Sequence, residues 1–399
     1  MTSSKQKTTT STDAVHAGIE RARAHHTLTP SVAQTATYTF ENTATLERYM
    51  RGEDPDPERE EYGRYGNPTV RELERRVAAL EGAEDAVAFA SGMAATSSAL
   101  LALLKAGDHI VLFQDCYRRT RQMVTQTLQR FGIEHSLIEP GNLQAMEAAI
   151  KPNTRLVVTE SPTNPLNFCV DLAKLSAIVK AKGRIRTLVD STFATPINSK
   201  PLSLGVDLVL HSATKYLSGH NDVLGGVVAG PSHLISLLRD TRGVVGSVLD
   251  PHAAFLIMRG LKTLALRVER QNHSALELAR ALERHPKVAR VHYPWLESHP
   301  SFPIASSQME GGGAVVSFIV RGGRAAASRV VDAARIPQIA ASLGGVESLI
   351  EQPAIMSFFE LTDEQLGAIG IDPALIRLSV GIEETADLVE DLMSALDRA

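Results

Sequence analysis

The stretch Leu208-Val209-Leu210-His211-Ser212-Ala213-Thr214-Lys215-Tyr216 delivers one lysine at the end of an apolar strand, beside the hydroxyls of Ser212 and Thr214. A lysine so placed suits condensation with a cofactor aldehyde. Upstream, Thr187-Leu188-Val189-Asp190-Ser191-Thr192 sets a carboxylate where another apolar run stops. A carboxylate against a pyridine nitrogen keeps that ring protonated, and a protonated ring draws electrons from an attached amino acid. Lys215 and Asp190 together therefore point to pyridoxal 5'-phosphate. Read alone, Ser-x-Thr-Lys fits a surface lysine after a strand equally well.

The other parts of such a site are also readable. Phe89-Ala90-Ser91-Gly92-Met93-Ala94-Ala95 reads as a strand, a glycine turn and an alanine-rich helix running to about Leu104. Free N–H groups around Ser91, Gly92 and Met93 would face a phosphate, with the helix dipole helping. An isolated Ser91 is also an ordinary N-cap. Tyr117, just past Val111-Leu112-Phe113, offers a flat face for stacking on the ring, although a lone tyrosine there can simply pack.

These residues need strands that end on one edge. Apolar strand candidates at Asp85–Phe89, His109–Phe113, Leu156–Thr159, Arg186–Val189 and Leu208–Leu210 alternate with helical stretches. The alternation predicts βα units and a mostly parallel sheet with ligands at the carboxyl ends of its strands. Residues 1–67 read as a tail and extended arm, 68–250 as the cofactor-binding large domain, and 251–399 as a linker helix and small α/β domain. That last part is expected to open on one long helix, roughly His252–Leu282, to contain the strand Val315–Val320, and to end in an amphipathic helix, Glu384–Leu396.

A chain of 399 residues can hold two domains and a sizeable core. Its net charge of −4 with interspersed signs gives no footprint for nucleic acid or membrane. No apolar run approaches the roughly 20 residues of a membrane span. The two cysteines, Cys116 and Cys169, form neither a disulfide framework nor metal-ligand spacing, and no metal is expected. Met1–Thr12 is Ser/Thr/Lys-rich without an apolar stretch, which predicts a disordered tail and a cytoplasmic protein.

Several longer motifs resemble the Cys/Met-metabolism family of pyridoxal-phosphate enzymes, the trans-sulfuration enzymes. They are Tyr62-Gly63-Arg64-Tyr65-Gly66-Asn67-Pro68-Thr69, Ser91-Gly92-Met93, Glu160-Ser161-Pro162-Thr163-Asn164-Pro165, the Asp190 and Lys215 segments, Ser342-Leu343-Gly344-Gly345 and Ile376–Glu383. The resemblance runs from about His16 to the C-terminus. It is greatest to the plant-type cystathionine gamma-synthase branch, through Asp115–Arg121 with its Arg118-Arg119 pair, Gly219–Gly226, Arg259–Leu264 and Gln352–Ser357.

This resemblance implies fold type I, the aspartate-aminotransferase-like architecture. It implies that Lys215 carries the cofactor, Asp190 meets the ring nitrogen, Tyr117 stacks, Asn164 meets the ring oxygen, and Ser91, Gly92, Met93, Ser212 and Thr214 hold the phosphate. Tyr62 and Arg64 would reach the phosphate of a neighbouring subunit, implying a homo-oligomer, usually a tetramer of two site-sharing dimers. Arg377, with Ser342, Asn164 and Tyr62 nearby, would grip the substrate α-carboxylate; a structural ion pair to a protein carboxylate is the competing role. The implied reaction is gamma-replacement on an O-activated L-homoserine by L-cysteine, with Lys215 as the base and Tyr62 or Tyr117 moving protons. Gamma-elimination by a lyase, sulfhydrylation, another nucleophile, and a non-catalytic scaffold are the rivals. The activating group, phosphate, succinate or acetate, stays open. Ala341 stands where several cysteine- or cystathionine-handling relatives carry glutamate, and Phe358-Phe359 adds bulk near where many have histidine.

Overall fold

The computed structural model describes residues 9–19, 23, 26–56 and 58–399. Seven strands form the larger sheet: β1 (Asp85–Phe89), β2 (His109–Phe113), β3 (Glu134–Ile138), β4 (Thr154–Glu160), β5 (Arg186–Asp190), β6 (Leu208–His211) and β7 (Gly226–Gly230). Their order is β1-β7-β6-β5-β4-β2-β3. Only β7 runs against its neighbours, so the other six end on one edge. Apolar side chains from both faces are buried, as a sheet covered by helices on each side requires. The smaller sheet holds β8 (Val288–His292), β9 (Val315–Val320), β10 (Gln338–Ile339), β11 (Leu349–Glu351) and β12 (Leu375–Ser379), in the order β10-β11-β12-β9-β8. One continuous apolar core joins Ala88 and Val227 of the large sheet to Val316 and Ile376 of the small one.

The strand and C-terminal helix expectations hold to within two residues, the last helix spanning Thr385–Arg398. Three others need correction. The predicted long helix is two, Pro251–Leu261 and Leu264–Arg284. Arg267 takes the break: its guanidinium donates to Gly260 O at 2.8 Å and to Tyr216 O at 2.8 Å. It thereby satisfies a terminal helix carbonyl and pins the segment after Lys215. The arm is not simply extended, since it carries the helices Ser11–His16 and Thr43–Met50. Of the expected disordered tail, residues 1–8 lie outside the described residues, but residues 9–12 are ordered. Thr9 is buried and donates to Leu80 O at 3.2 Å, while Thr10 and Asp13 form a capping box that starts the first helix.

Candidate active site

A cavity of about 1030 Å³ opens where the carboxyl ends of β1, β2, β4, β5 and β6 face the small sheet. It collects Ser91, Gly92, Met93, Tyr117, Asn164, Asp190, Ser212, Thr214, Lys215, Ser342 and Arg377 from segments far apart in the chain. Lys215 lies in the turn that follows β6, and its Nζ donates to Ser342 Oγ at 2.6 Å. Partial burial, with Arg377 adding, lowers its pKa to about 8, so an uncharged amine is accessible near neutrality. Asp190 ends β5. Its Oδ1 accepts from Thr192 N at 2.9 Å and Thr192 Oγ1 at 2.5 Å, and Thr192 Oγ1 in turn accepts from Ser212 N at 2.8 Å. That chain of bonds ties the carboxylate to the turn that carries the lysine.

The helix Gly92–Leu103 starts at the cavity wall, capped by Ser91 Oγ, which accepts from Ala94 N at 3.0 Å. The cap takes the N–H of Ala94 and so does not compete for those of Gly92 and Met93. A Cβ on Gly92 would lie 2.8 Å from Ser212 Oγ, so only glycine lets the helix start approach the Lys215 turn. Thr214 Oγ1 accepts from Gly225 N–H at 3.0 Å, which fixes the hydroxyl at the cavity wall. Tyr117, 46 % exposed, presents its ring to the cavity. A desolvated amine, a carboxylate at a neighbouring strand end, helix N–H groups and an accessible aromatic face together match the aldehyde, pyridine nitrogen, phosphate and ring of pyridoxal phosphate.

Across the cavity, Arg377 enters from β12 and is only 5 % exposed. It donates to Asn164 Oδ1 at 3.1 Å and to Ser342 O at 2.9 Å. Its Nη2 also lies 3.0 Å from Oε1 of buried Glu351. The competing structural role is therefore present alongside the exposure to the cavity that a substrate role requires. Ser342 meets both Lys215 and Arg377 while holding φ at 96°, a strained value for a non-glycine residue.

Two carboxylates in the cavity wall carry roles that sequence reasoning missed. Glu351 is one. Glu160, at the end of β4 and in register with Asp190, accepts the backbone N–H of Tyr117. Burial, with Asp190 beside it, pushes Glu160 well above the usual carboxyl range.

Tyr62 and Arg64 do not line this cavity. Arg64 donates to Gly243 O at 2.7 Å, its guanidinium carbon lies 4.7 Å from the centre of the Tyr65 ring, and Tyr62 is 44 % exposed. Arg118, Arg119 and Arg121 also line the cavity, with Arg118 paired to Glu360 and Arg121 donating to Gln114 O at 2.7 Å. Ala341 and Phe358 line the cavity.

The sequence matches the family profile described as "Cys/Met metabolism PLP-dependent enzyme" over residues 11–397. It is 47 % identical to the chloroplastic cystathionine gamma-synthase 1 of Nicotiana tabacum, across 96 % of this chain and 71 % of that protein. Identity to an O-succinylhomoserine sulfhydrylase of Pseudomonas aeruginosa is 43 %, over 91 % and 89 % of the two chains. Identity to an L-methionine gamma-lyase of Fusobacterium nucleatum is 41 %, over 97 % and 98 %. A solved structure, metB from Corynebacterium glutamicum, superposes with a TM-score of 0.90 at 36 % identity, covering 97 % of each chain.

Proposed function

The chain belongs to the Cys/Met-metabolism family of pyridoxal-phosphate enzymes, with their fold-type I α/β architecture, and from that premise we propose that it joins an O-activated L-homoserine to L-cysteine to make L-cystathionine. The observation carrying this choice is the 47 % identity to a plant cystathionine gamma-synthase over nearly the whole chain.

When bound, pyridoxal phosphate supplies an electron sink beside the substrate's Cα. The residues then divide the work. Asp190 holds the ring nitrogen, Tyr117 covers the ring, and Ser91, Gly92, Met93, Ser212 and Thr214 receive the phosphate. Asn164 holds the ring oxygen and, with Arg377 and Ser342, orients the substrate carboxylate. Lys215, steered by Ser342 Oγ, takes the Cα proton, and its lowered basicity keeps an uncharged fraction available for that transfer. Tyr62 or Tyr117 moves the proton of the incoming thiol.

The exposed ring of Tyr62, and the position of Arg64 outside its own cavity, support a homo-oligomer in which both serve a neighbour's site; we take it to be a tetramer of two such dimers. We keep the division at 67/68 and 250/251, with 68–250 binding the cofactor and 251–399 supplying Ser342 and Arg377. Both cysteines are free and buried, which supports a reducing cytoplasm.

Gamma-elimination needs the same residues, and the likeness to a methionine gamma-lyase keeps it as the second reading. Mass-spectrometric product analysis decides between them. The purified enzyme is given O-phospho-, O-succinyl- or O-acetylhomoserine with cysteine, with sulfide, or with neither. Cystathionine formed from one ester supports the synthase. Only 2-oxobutanoate, or only homocysteine from sulfide, moves the enzyme to the lyase or sulfhydrylase branch.

A further inference from the structure

Glu351 closes β11 and pairs in register with Arg377 of β12. It is 3 % exposed and lines the cavity. The contact between the two is an ion pair without a directed bond: Arg377 Nη2 lies 3.0 Å from Glu351 Oε1, yet Oε1 and the Arg377 Nε are both buried and make no hydrogen bond. The guanidinium spends its directed bonds on Asn164 and Ser342 instead. When ionised, Glu351 has the charge of Arg377 beside it but not its N–H groups, a poorly compensated buried pairing.

On the reading that Arg377 receives the substrate, a second carboxylate arrives within a few ångströms of Glu351. Two carboxylates sharing one site resist being ionised together. We propose that binding of the substrate α-carboxylate at Arg377 is coupled to uptake of one proton by Glu351, which changes from the charge partner of Arg377 into a neutral neighbour of the bound carboxylate. The proton comes from solvent, so the net charge added to the site by carboxylate and proton together is zero.

The ionisable groups facing Glu351 agree with this. Arg377 acts on it from β12 and Lys215 from the turn after β6, while β10, along the other edge of β11, contributes Gln338 and Ile339, neither of them ionisable. Tyr216 and Tyr117 act on Arg377. Burial raises the Glu351 carboxyl above its ordinary value even against the pull of Arg377 and Lys215. A new anion on Arg377 removes part of that pull, so the proton is bound more tightly in the complex than in the free site.

Butanoate tests this, because it has the carboxylate and four-carbon chain of the substrate but no amino group to condense with the cofactor. The holoenzyme is titrated with butanoate between about pH 6 and about pH 9, on the alkaline side to which burial moves the Glu351 carboxyl. Binding is read from the visible absorbance of the cofactor, and proton uptake from an indicator dye in weak buffer. Wild type is expected to take up about one proton per site, with a dissociation constant rising by up to about tenfold per pH unit. Glu351→Gln is expected to take up almost none and to bind equally across the range. Equal uptake in Glu351→Gln would place the proton on the Lys215 linkage and overturn the proposal, as would no uptake in wild type. If the variant does not fold, infrared difference spectroscopy of the wild-type holoenzyme reads the carboxyl itself: a protonated-carboxyl C=O band that appears on butanoate binding supports the coupling, and its absence overturns it. Unchanged butanoate affinity in Arg377→Lys would instead remove Arg377 as the carboxylate site, and the coupling with it.

Discussion

An amine drawn out of bulk water beside a guanidinium loses basicity, and Lys215 shows the result: burial first and Arg377 second bring its pKa to about 8 from an ordinary 10.5. Only the uncharged amine condenses with an aldehyde. In the apoenzyme, the rate of recombination with pyridoxal phosphate should therefore climb with pH and level off just above about 8, as followed by stopped-flow absorbance. A rate still climbing toward 10.5 would mean that the amine is hydrated like a surface lysine. Glu160 makes a second residue-scale case. Burial and the neighbouring Asp190 favour its neutral form, and its carboxyl holds the N–H of Tyr117. Glu160→Gln keeps a neutral acceptor and should leave the visible circular dichroism of the bound cofactor close to wild type. Glu160→Ala should weaken cofactor binding by about 1 kcal/mol, the scale of one lost hydrogen bond, and alter that dichroism. Lys215, Asp190 and Tyr117 were legible because each follows an apolar run that ends in a distinctive residue. Glu160 and Glu351 were not. Glu160 stood in a motif that was read, but its role depends on the register of β4 with β5, and Glu351 matters only through Arg377, its partner on β12.

Strands that are buried on both faces announce themselves as apolar runs, so five of the seven large-sheet strands are legible to within two residues, whereas β3, mostly unburied, and β7, bounded by glycines, are not. The break between Leu261 and Leu264 was not legible because Lys262-Thr263 contains neither glycine nor proline; the guanidinium of Arg267, one turn further on, folds back to bond Gly260 O and Thr263 Oγ1 there. At the start of the helix Gly92–Leu103, Gly92→Ala should push the N–H groups away from the Lys215 turn, because the new Cβ meets Ser212 Cβ at 2.9 Å and Cα at 3.2 Å. The expected outcome is a cofactor dissociation constant raised about tenfold, with the thermal midpoint of the apoenzyme little changed. The helix Pro68–Glu81 carries a different kind of load. Its buried Glu74 accepts from Arg242 at 2.7 Å, from Arg71 at 3.0 Å and from Ala88 N at 2.9 Å. Burial alone would raise the Glu74 carboxyl, but Arg242, Arg71 and Arg239 overcome it and hold it below 4.5. Its contribution to stability is thus complete above 4.5 and fades as pH falls through the lower folded value. Glu74→Gln should cost about 3 kcal/mol near neutrality by leaving Arg242 poorly compensated, and the gap to wild type should close in acid. Thermal melts at both pH values check both parts.

At the scale of the molecule, the site exists because the small sheet is folded back over the edge of the large one. Lys215 and Ser342 are 127 residues apart in sequence, and Asn164 and Arg377 are 213 apart, yet each pair is hydrogen-bonded. Local pattern could locate most of the large sheet and one strand of the small one but not this closure, which depends on the core running between them. The arm poses the remaining question of completeness. Arg242, besides holding Glu74, donates to Tyr65 O at 3.0 Å, and Arg64 donates to Gly243 O, so the Tyr62–Tyr65 segment is docked on the helix Ser232–Val245 and outside the cavity of its own chain. If Arg64 serves the phosphate of a second copy, the two halves of a site come from different chains. Arg64→Ala and Lys215→Ala should then each be nearly inactive alone. Denatured together in equal amounts and refolded with pyridoxal phosphate, they should form hybrids in which one site carries both defects and the other neither. About a quarter of wild-type activity should return, since half of randomly assorted dimers are hybrids with one intact site. No recovery, from mixtures shown to contain hybrids by native mass spectrometry of differently tagged subunits, would confine Arg64 to its own chain. It would leave the exposed face of Tyr62 without a catalytic reason.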